Sequence, residues 1–219
     1  MVDKFEVRLQ TLALEMLIKD LGASVVRVWD DLRPVTKKML AGAMKAGLST
    51  HTSPAQKFSY DAHADWEVSR LLTALDEQSR SADSNEKQRL TEIAELAETC
   101  VRVLEEQSGS AEVFIQLAER AIKAQDYARL DRLSDRLFER FSGAEIAEIV
   151  RQTTLPQIRA IAYETLSLLP IEVLVGLLDD PLYSDIAAGA LEQKAFEYDS
   201  EEARDALEHF FPEAGYPID

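Results

Sequence analysis

The 219-residue chain is long enough for one large domain or two small ones. Its net charge of −16 comes mostly from residues 61–219, which hold fifteen Lys/Arg against thirty-four Asp/Glu, whereas residues 1–60 hold nine against six. Such an acidic field repels phosphate backbones, so we expect no nucleic-acid binding. The single cysteine excludes an internal disulfide and a thiolate metal cage.

The beginning of the chain, MVDKFEVRLQ, mixes acids with bases and does not resemble an export signal. Apolar runs are only a few residues long, far below the roughly 20 residues that cross a bilayer. We therefore expect a soluble, cytoplasmic protein that makes no contact with a membrane.

The first predicted helix, FEVRLQTLALEMLIKDL, is apolar on two sides. One face carries Phe5, Leu9, Leu12 and Met16, and the other carries Leu14, Ile18 and Leu21. A helix that is apolar on two sides must be covered on both. It is therefore either a central helix or the contact surface of a homo-oligomer.

The segment from Leu32 to Tyr60 contains no acidic residue. Its basic residues are Arg33, Lys37, Lys38, Lys45 and Lys57. A helix from Pro34 can pack within the protein, with its lysines offsetting the acidic remainder, or it can dock an acidic partner. Under the second interpretation, the candidate partner-binding residues are Arg33, Lys37, Lys38 and Lys45.

The sequence offers little for catalysis. In DAHADWE, His63 and Glu67 share one helical face, but a metal site needs three or four converging ligands. No GxGxxG, GxxxxGK[ST], GxSxG or CxxC motif occurs, and Cys100 lies on the apolar stripe of its helix, where we expect a buried, inert thiol. We therefore predict no catalytic residue, no cofactor, no metal and no enzymatic activity.

Further helices follow at three- and four-residue apolar spacing, and alternating β-branched runs are absent, which indicates an all-α fold. The polar stretch DEQSRSADSNEK suggests a boundary between an N-terminal helical region, 1–80, and a helical repeat region, 81–219, although one continuous domain is an alternative. In YARLDRLSDRLFER, three arginines at four-residue spacing form a stripe: Arg132, Arg136 and Arg140. The stripe can bind a partner's carboxylates or be neutralised by the acidic stripe beside it.

The C-terminal part repeats itself at an offset of 25 residues. Four pairs are identical: Pro156 with Pro181, Ile161 with Ile186, Ala162 with Ala187, and Leu166 with Leu191. Ser142 also aligns with Ser167, as if both began helices. Matched core positions and helix starts are typical of stacked helical units. We therefore expect Leu166 and Leu191 to be buried and the prolines to begin helices.

The stretch LPQIRAIA…PIEVLVGLLDDPLYSDIAAGAL resembles short HEAT-like repeats, especially their leucine-rich-variant form, over residues 126–210. The matching residues are Ile158, Arg159, Ala162, Pro170, Glu172, Val173, Leu174, Leu177, Asp180 and Pro181. The resemblance implies a curved helical array used for binding rather than catalysis. Some leucine-rich-variant proteins are associated with a cysteine-ligated iron–sulfur cluster, which a chain with one cysteine cannot build.

The sequence thus predicts an all-α protein in which an N-terminal helical bundle or cap precedes short HEAT-like α-α superhelical repeats. The leading function is that of a non-enzymatic scaffold or adaptor that binds a protein partner. One alternative is a helical enzyme or small-ligand-binding module with a pocket between the N-terminal helices and the repeats. Another is an obligate homo-oligomer held together by the first helix.

Overall fold

A computed structural model describes residue 12 and residues 14–48, 60–83 and 86–210. Every regular element within these ranges is an α-helix, which confirms the predicted all-α class. The chain divides into two compact units, Met1–Ser108 and Gly109–Asp219, called unit 1 and unit 2 below. No single described helix is long and apolar enough to span a membrane. The helices Pro156–Leu168 and Ile171–Leu178 meet the same length and composition criteria only when taken together, and they are bent by 113° relative to each other.

The described residues of unit 1 form five helices. They are α1 (residues 14–20), α2 (Ala23–Asp31), α3 (Pro34–Leu48), α4 (Ala62–Ser81) and α5 (Lys87–Gln107). Helix α4 packs on α2 and α5, and α3 packs on α5. The predicted boundary after residue 80 falls in the last turn of α4, just before the connection to α5. Because these two helices pack along each other, α5 belongs to unit 1 and the division comes after Ser108.

The two predicted apolar faces of the first helix differ in burial. Leu14, Ile18 and Leu21 are buried, whereas Leu12 and Met16 are 51% and 70% exposed. Phe5 and Leu9 lie outside the described residues. Unit 1 therefore covers one face of α1, and the described part of the other face is open to solvent.

Seven helices lie in unit 2 within residues 109–210. They are α6 (Ala111–Lys123), α7 (Tyr127–Arg140), α8 (Gly143–Gln152), α9 (Pro156–Leu168), α10 (Ile171–Leu178), α11 (Ser184–Glu197) and α12 (Glu201–Phe210). The pairs α6–α7, α8–α9 and α10–α11 pack as hairpins, and α12 packs on α11. Alternate helices also touch, so α6, α8, α10 and α12 form one row and α7, α9 and α11 form another.

Side-chain caps fix several helix starts in unit 2. Asp126 accepts a hydrogen bond from the Arg129 backbone N–H, and Ser142 accepts one from Glu145 at 3.2 Å. The carboxylate of Glu145 accepts from the backbone N–H of Ala111 at 2.8 Å. The start of α8 is thereby tied to the start of α6, which places both at the same end of unit 2.

The predicted burial of Leu166 and Leu191 is confirmed, whereas the predicted 25-residue spacing differs from that of the helix starts. Leu166 and Leu191 are both completely buried. The helix starts, however, recur after 28 residues, from Gly143 to Ile171 and from Pro156 to Ser184. The observed recurrence exceeds the predicted 25-residue offset by three residues, which is close to one helical turn. Aligning the sequence at the shorter offset therefore still pairs apolar positions with apolar positions.

Two predicted helix starts are therefore wrong. Ser167 is buried inside α9, where its hydroxyl donates to the Glu164 carbonyl. Pro181 lies in the turn before α11, in which Asp180 accepts hydrogen bonds from the chain that follows it. Pro156 and Pro170 do mark starts, since Pro156 opens α9 and Pro170 caps α10.

Candidate interaction surfaces

Arg33, a predicted partner-binding residue, is bound within unit 1. Its backbone N–H and Nε donate to the Glu67 carboxylate at 2.6 and 3.0 Å, and its two Nη atoms donate to Asp61 at 3.0 and 2.7 Å. Glu67 is 1% exposed and also accepts from the Thr36 hydroxyl. Arg33 thus fastens the junction of α2 and α3 to the start of α4.

The electrostatics of this junction explain how a buried carboxylate stays charged. Burial acts to raise the pKa of Glu67, but the hydrogen bonds from Thr36 and Arg33 outweigh it and lower the pKa below the ordinary value. The Arg33 guanidinium and the Ala64 backbone N–H likewise lower the pKa of Asp61, which caps α4. The carboxylate oxygens of the cluster accept hydrogen bonds from within unit 1.

The three described lysines of the basic segment occupy different environments. Lys37 is half-buried, with its Nζ 5.7 Å from the centroid of the Trp29 ring and 3.3 Å from the Asp30 carbonyl oxygen. Lys38 and Lys45 are exposed on α3, seven residues apart and therefore on one side of the helix. Docking of an acidic partner at Lys38 and Lys45 stays a prediction.

An exposed aromatic residue on α4 was not singled out by the sequence analysis. Trp66 is 52% exposed, and the Arg70 guanidinium lies 4.4 Å from the centroid of its ring. Beside it runs an open groove of about 350 Å³ between α2 and α4, lined by residues such as Arg27, Val28 and Thr73. His63 is not part of that lining, and its Nε2 is 3.9 Å from Glu67, too far for a hydrogen bond.

Metal and thiol chemistry find no support in the part of the chain that the structure describes. Within it, no three His, Cys, Asp or Glu side chains converge as a metal site would require. Cys100 is completely buried, as predicted, and a buried thiol surrounded by apolar side chains is unreactive.

The arginine stripe of α7 lies on the surface of unit 2. Arg132 donates to the Ala128 carbonyl one turn earlier at 3.1 Å and is exposed. Arg136 is half-buried and Arg140 is exposed in the last turn of the helix. The structure thus places Arg136 and Arg140 next to the connection between α7 and α8.

That connection is one of three at the same end of unit 2. The hairpins turn at residues 124–126, 153–155 and 179–183, so their open ends and the linkers between them lie at the opposite end. Those linkers are residues 141–142, 169–170 and 198–200. A Cβ placed on Gly143 would contact both Leu169 and Val173, which confirms that two of the linkers are adjacent. We call this end of unit 2 the linker face.

Exposed apolar side chains are concentrated on the linker face. The described part of unit 2 exposes eight large hydrophobic side chains, and five of them are in or beside the three linkers. These five are Phe138, Leu168, Val173, Phe196 and Tyr198. Leu168 and Phe196 are 54% and 58% exposed, which is high for side chains of this size on a surface otherwise rich in charge.

The linker face is also acidic from α9 to α12. Its exposed carboxylates are Glu172, Glu197, Asp199, Glu201 and Glu202. Arg204 donates from Nη2 to the Ala195 carbonyl at 3.1 Å and to Asp199, so its charge offsets that of Asp199 while the other four carboxylates keep this surface acidic. The C-terminal ends of α9 and α11 and the N-terminal ends of α10 and α12 meet here, so their helix dipoles oppose each other and the acidic character comes from the side chains.

A polar cluster on α8 and the turn before α11 has a structural role. Glu148 accepts from Arg151 Nε and Nη2 at 2.6 and 2.5 Å and from Gln152 at 2.5 Å. The Tyr183 hydroxyl donates to the same carboxylate at 3.2 Å. The Arg151 hydrogen bonds lower the pKa of Glu148 to about 2. The cluster ties the turn before α11 to α8.

The chain matches no protein-family model, no curated protein and no solved structure. The sequence did contain one signal for the linker face, since Phe196 and Tyr198 alternate with Glu197 and Asp199 directly after the last buried alanine of α11. Only the packing of the hairpins brings them to the same end as Leu168 and Phe138.

Proposed function

We propose that this protein is a non-enzymatic helical-repeat protein that binds other proteins and uses the linker face of unit 2 to do so. The helices of unit 1 then form the N-terminal bundle that precedes the repeats. The proposal rests on the exposed apolar side chains of the linker face. Removing one large apolar side chain from water is worth about 1.5–3 kcal/mol, so their concentration at one end favours a binding surface.

The HEAT-like arrangement belongs to the same proposal. The hairpins that begin at Gly143 and Ile171, 28 residues apart, contact each other through both rows and bury apolar faces that neither could bury alone. Ile149 of α8 and Leu174 of α10, for instance, are both completely buried. A stack of this kind holds its linkers at fixed spacing, which suits recognition of a partner by several side chains at once.

The absence of assembled catalytic groups among the described residues supports binding over catalysis. The two strongest polar clusters, around Glu67 and Glu148, use their carboxylates in internal hydrogen bonds. Neither leaves a group poised to take or give a proton to an external molecule.

The experiment uses matched substitutions at the two ends of unit 2. Leu168→Ser with Phe196→Ser alters the linker face, and Leu182→Ser alters an equally exposed leucine in the turn at the opposite end. Each tagged full-length protein is expressed in its native host, and the co-purifying proteins are quantified by mass spectrometry. We expect the double variant to lose partners that the Leu182→Ser protein retains. Retention of every partner by a folded double variant would contradict the proposal.

A further inference from the structure

We propose that the acidic part of the linker face, from α9 to α12, binds a lysine- or arginine-rich segment of a partner protein whose apolar side chains pack on Leu168, Val173 and Phe196. This inference rests on the proposed function and adds the chemistry of the partner.

The charge of the partner follows from the surface that it must cover. Five exposed carboxylates stand in or beside the last two linkers, against the partly buried Lys194 and Arg204. Because Arg204 forms an ion pair with Asp199, it offsets that one charge, and the other four carboxylates still outnumber Lys194. An acidic partner would be repelled here, whereas a basic segment is attracted and oriented.

The apolar side chains supply the second requirement. Leu168 ends α9, Val173 lies in the first turn of α10 and Phe196 lies in the last turn of α11. Val173 also packs close to Gly143, so its position is fixed by the stack of hairpins. Apolar side chains surrounded by carboxylates suit an amphipathic segment. Its apolar face is buried on these side chains, while its basic residues reach the carboxylates around them.

The edge of the linker face towards α7 carries mixed charge. Exposed Asp135 and Glu139 stand beside Arg136 and Arg140 near the end of α7. The basic part of the partner is therefore expected over α10–α12, where the exposed carboxylates outnumber the cations.

An anionic lipid surface is disfavoured by the same charges. The exposed carboxylates next to the apolar side chains would be driven towards negatively charged headgroups, which costs free energy. A zwitterionic lipid surface lacks that repulsion, so it is included in the test as the competing occupant.

The test measures binding of fluorescein-labelled peptides to the full-length protein by fluorescence anisotropy, at about 50 mM and about 300 mM NaCl. The first probe is an amphipathic helical peptide of lysine and leucine. In the second, glutamate replaces each lysine, and in the third, serine replaces each leucine. Sedimentation with phosphatidylcholine vesicles forms a separate arm.

Two pairs of variants assign the binding to the linker face. Leu168→Ser with Phe196→Ser tests the apolar anchors, and Leu182→Ser is their control at the opposite end. Glu201→Lys with Glu202→Lys tests the charge, and Asp179→Lys with Asp185→Lys makes the same change in net charge at the opposite end. Circular dichroism melts show whether each variant is folded.

We expect the lysine–leucine probe to bind and the other two probes to bind at least about tenfold more weakly, a difference of about 1.4 kcal/mol. Both linker-face variants should weaken the lysine–leucine probe by a similar factor, while both controls stay within about twofold, which is under 0.5 kcal/mol. Binding should also weaken at the higher salt concentration.

Equal binding by the glutamate probe, or equal losses in the control variants, would overturn the inference. Vesicle binding that depends on Leu168 and Phe196, without peptide binding, would overturn it in favour of lipid. If no probe binds but the co-purification experiment still assigns partners to the linker face, the basic partner is refuted and the proposed function stands. If both experiments are negative, both proposals fail.

Discussion

The contact between α8 and α10 predicts that alanine substitutions at Gly143 and Gly176 change the free energy of unfolding in opposite directions. A Cβ on Gly143 would lie 2.6 Å from Cγ1 of Val173 and 3.5 Å from Cδ1 atoms of Leu169 and Leu177. Carbon atoms pack best at about 3.5–4.0 Å, so the closest contact is roughly 1 Å too short. Val173 is β-branched and has essentially one χ1 rotamer in a helix, which leaves it little room to move.

The substitution Gly143→Ala should therefore destabilise unit 2. Forcing an extra methyl group into a packed contact costs about 1–3 kcal/mol. Alanine also lowers the conformational entropy of the unfolded chain, which stabilises the fold by up to about 1 kcal/mol. We therefore expect the free energy of unfolding to fall by about 1–2 kcal/mol. In contrast, Gly176 has no atom within 4 Å of an added Cβ, and Gly176→Ala should stabilise α10 by about 0.5–1 kcal/mol.

Urea denaturation followed by circular dichroism measures both effects on the full-length chain. The double variant Gly143→Ala with Val173→Ala supplies the control, because removing the Val173 methyl groups should recover part of the loss as a coupling energy. If Gly143→Ala is as stable as the wild type, or if the coupling is zero, then α8 and α10 do not approach as described and the stacking of the hairpins is wrong.

Three further predictions concern other parts of the chain. Leu191→Ala should lower the free energy of unfolding by about 2–5 kcal/mol in urea melts, because Leu191 is completely buried, and a loss well under 1 kcal/mol would refute its place in the core. Glu148→Gln should cost about 1 kcal/mol or less at pH 7. Since the folded-state pKa of Glu148 is lowered from 4.5 to about 2, this difference should vanish as the pH falls through that interval, and a constant difference would contradict the assignment. Met16→Glu should reduce the mass measured by light scattering if the exposed face of α1 joins two copies, and an unchanged mass would exclude that contact.

Local patterns in the sequence were sufficient for the helices and for much of the core. The apolar spacing of α5 predicted the burial of Cys100, and the matched positions Leu166 and Leu191 are both buried. The helix starts were less well determined, because an error of one turn preserves the apolar face of a helix. The 28-residue recurrence is defined by turns, and the turn that contains Pro181 was mistaken for a helix start.

The candidate surfaces depended on contacts between distant parts of the sequence. Arg33 was predicted to meet a partner, but it binds Asp61 and Glu67, which follow it by 28 and 34 residues. No local pattern shows such a pairing. The linker face is likewise assembled from three connections that only the stacking of hairpins brings together, so its side chains looked unrelated in the sequence.

Site-specific photo-crosslinking in the native host tests the claim of protein binding at the linker face most directly. A photoreactive amino acid is placed at position 196, and in a matched protein at position 182, where the side chain is exposed to a similar degree. We predict that position 196 forms crosslinks to discrete partner proteins and that position 182 forms few or none. Equal crosslinking at the two positions, or none at position 196, would contradict the assignment of the linker face as the binding surface.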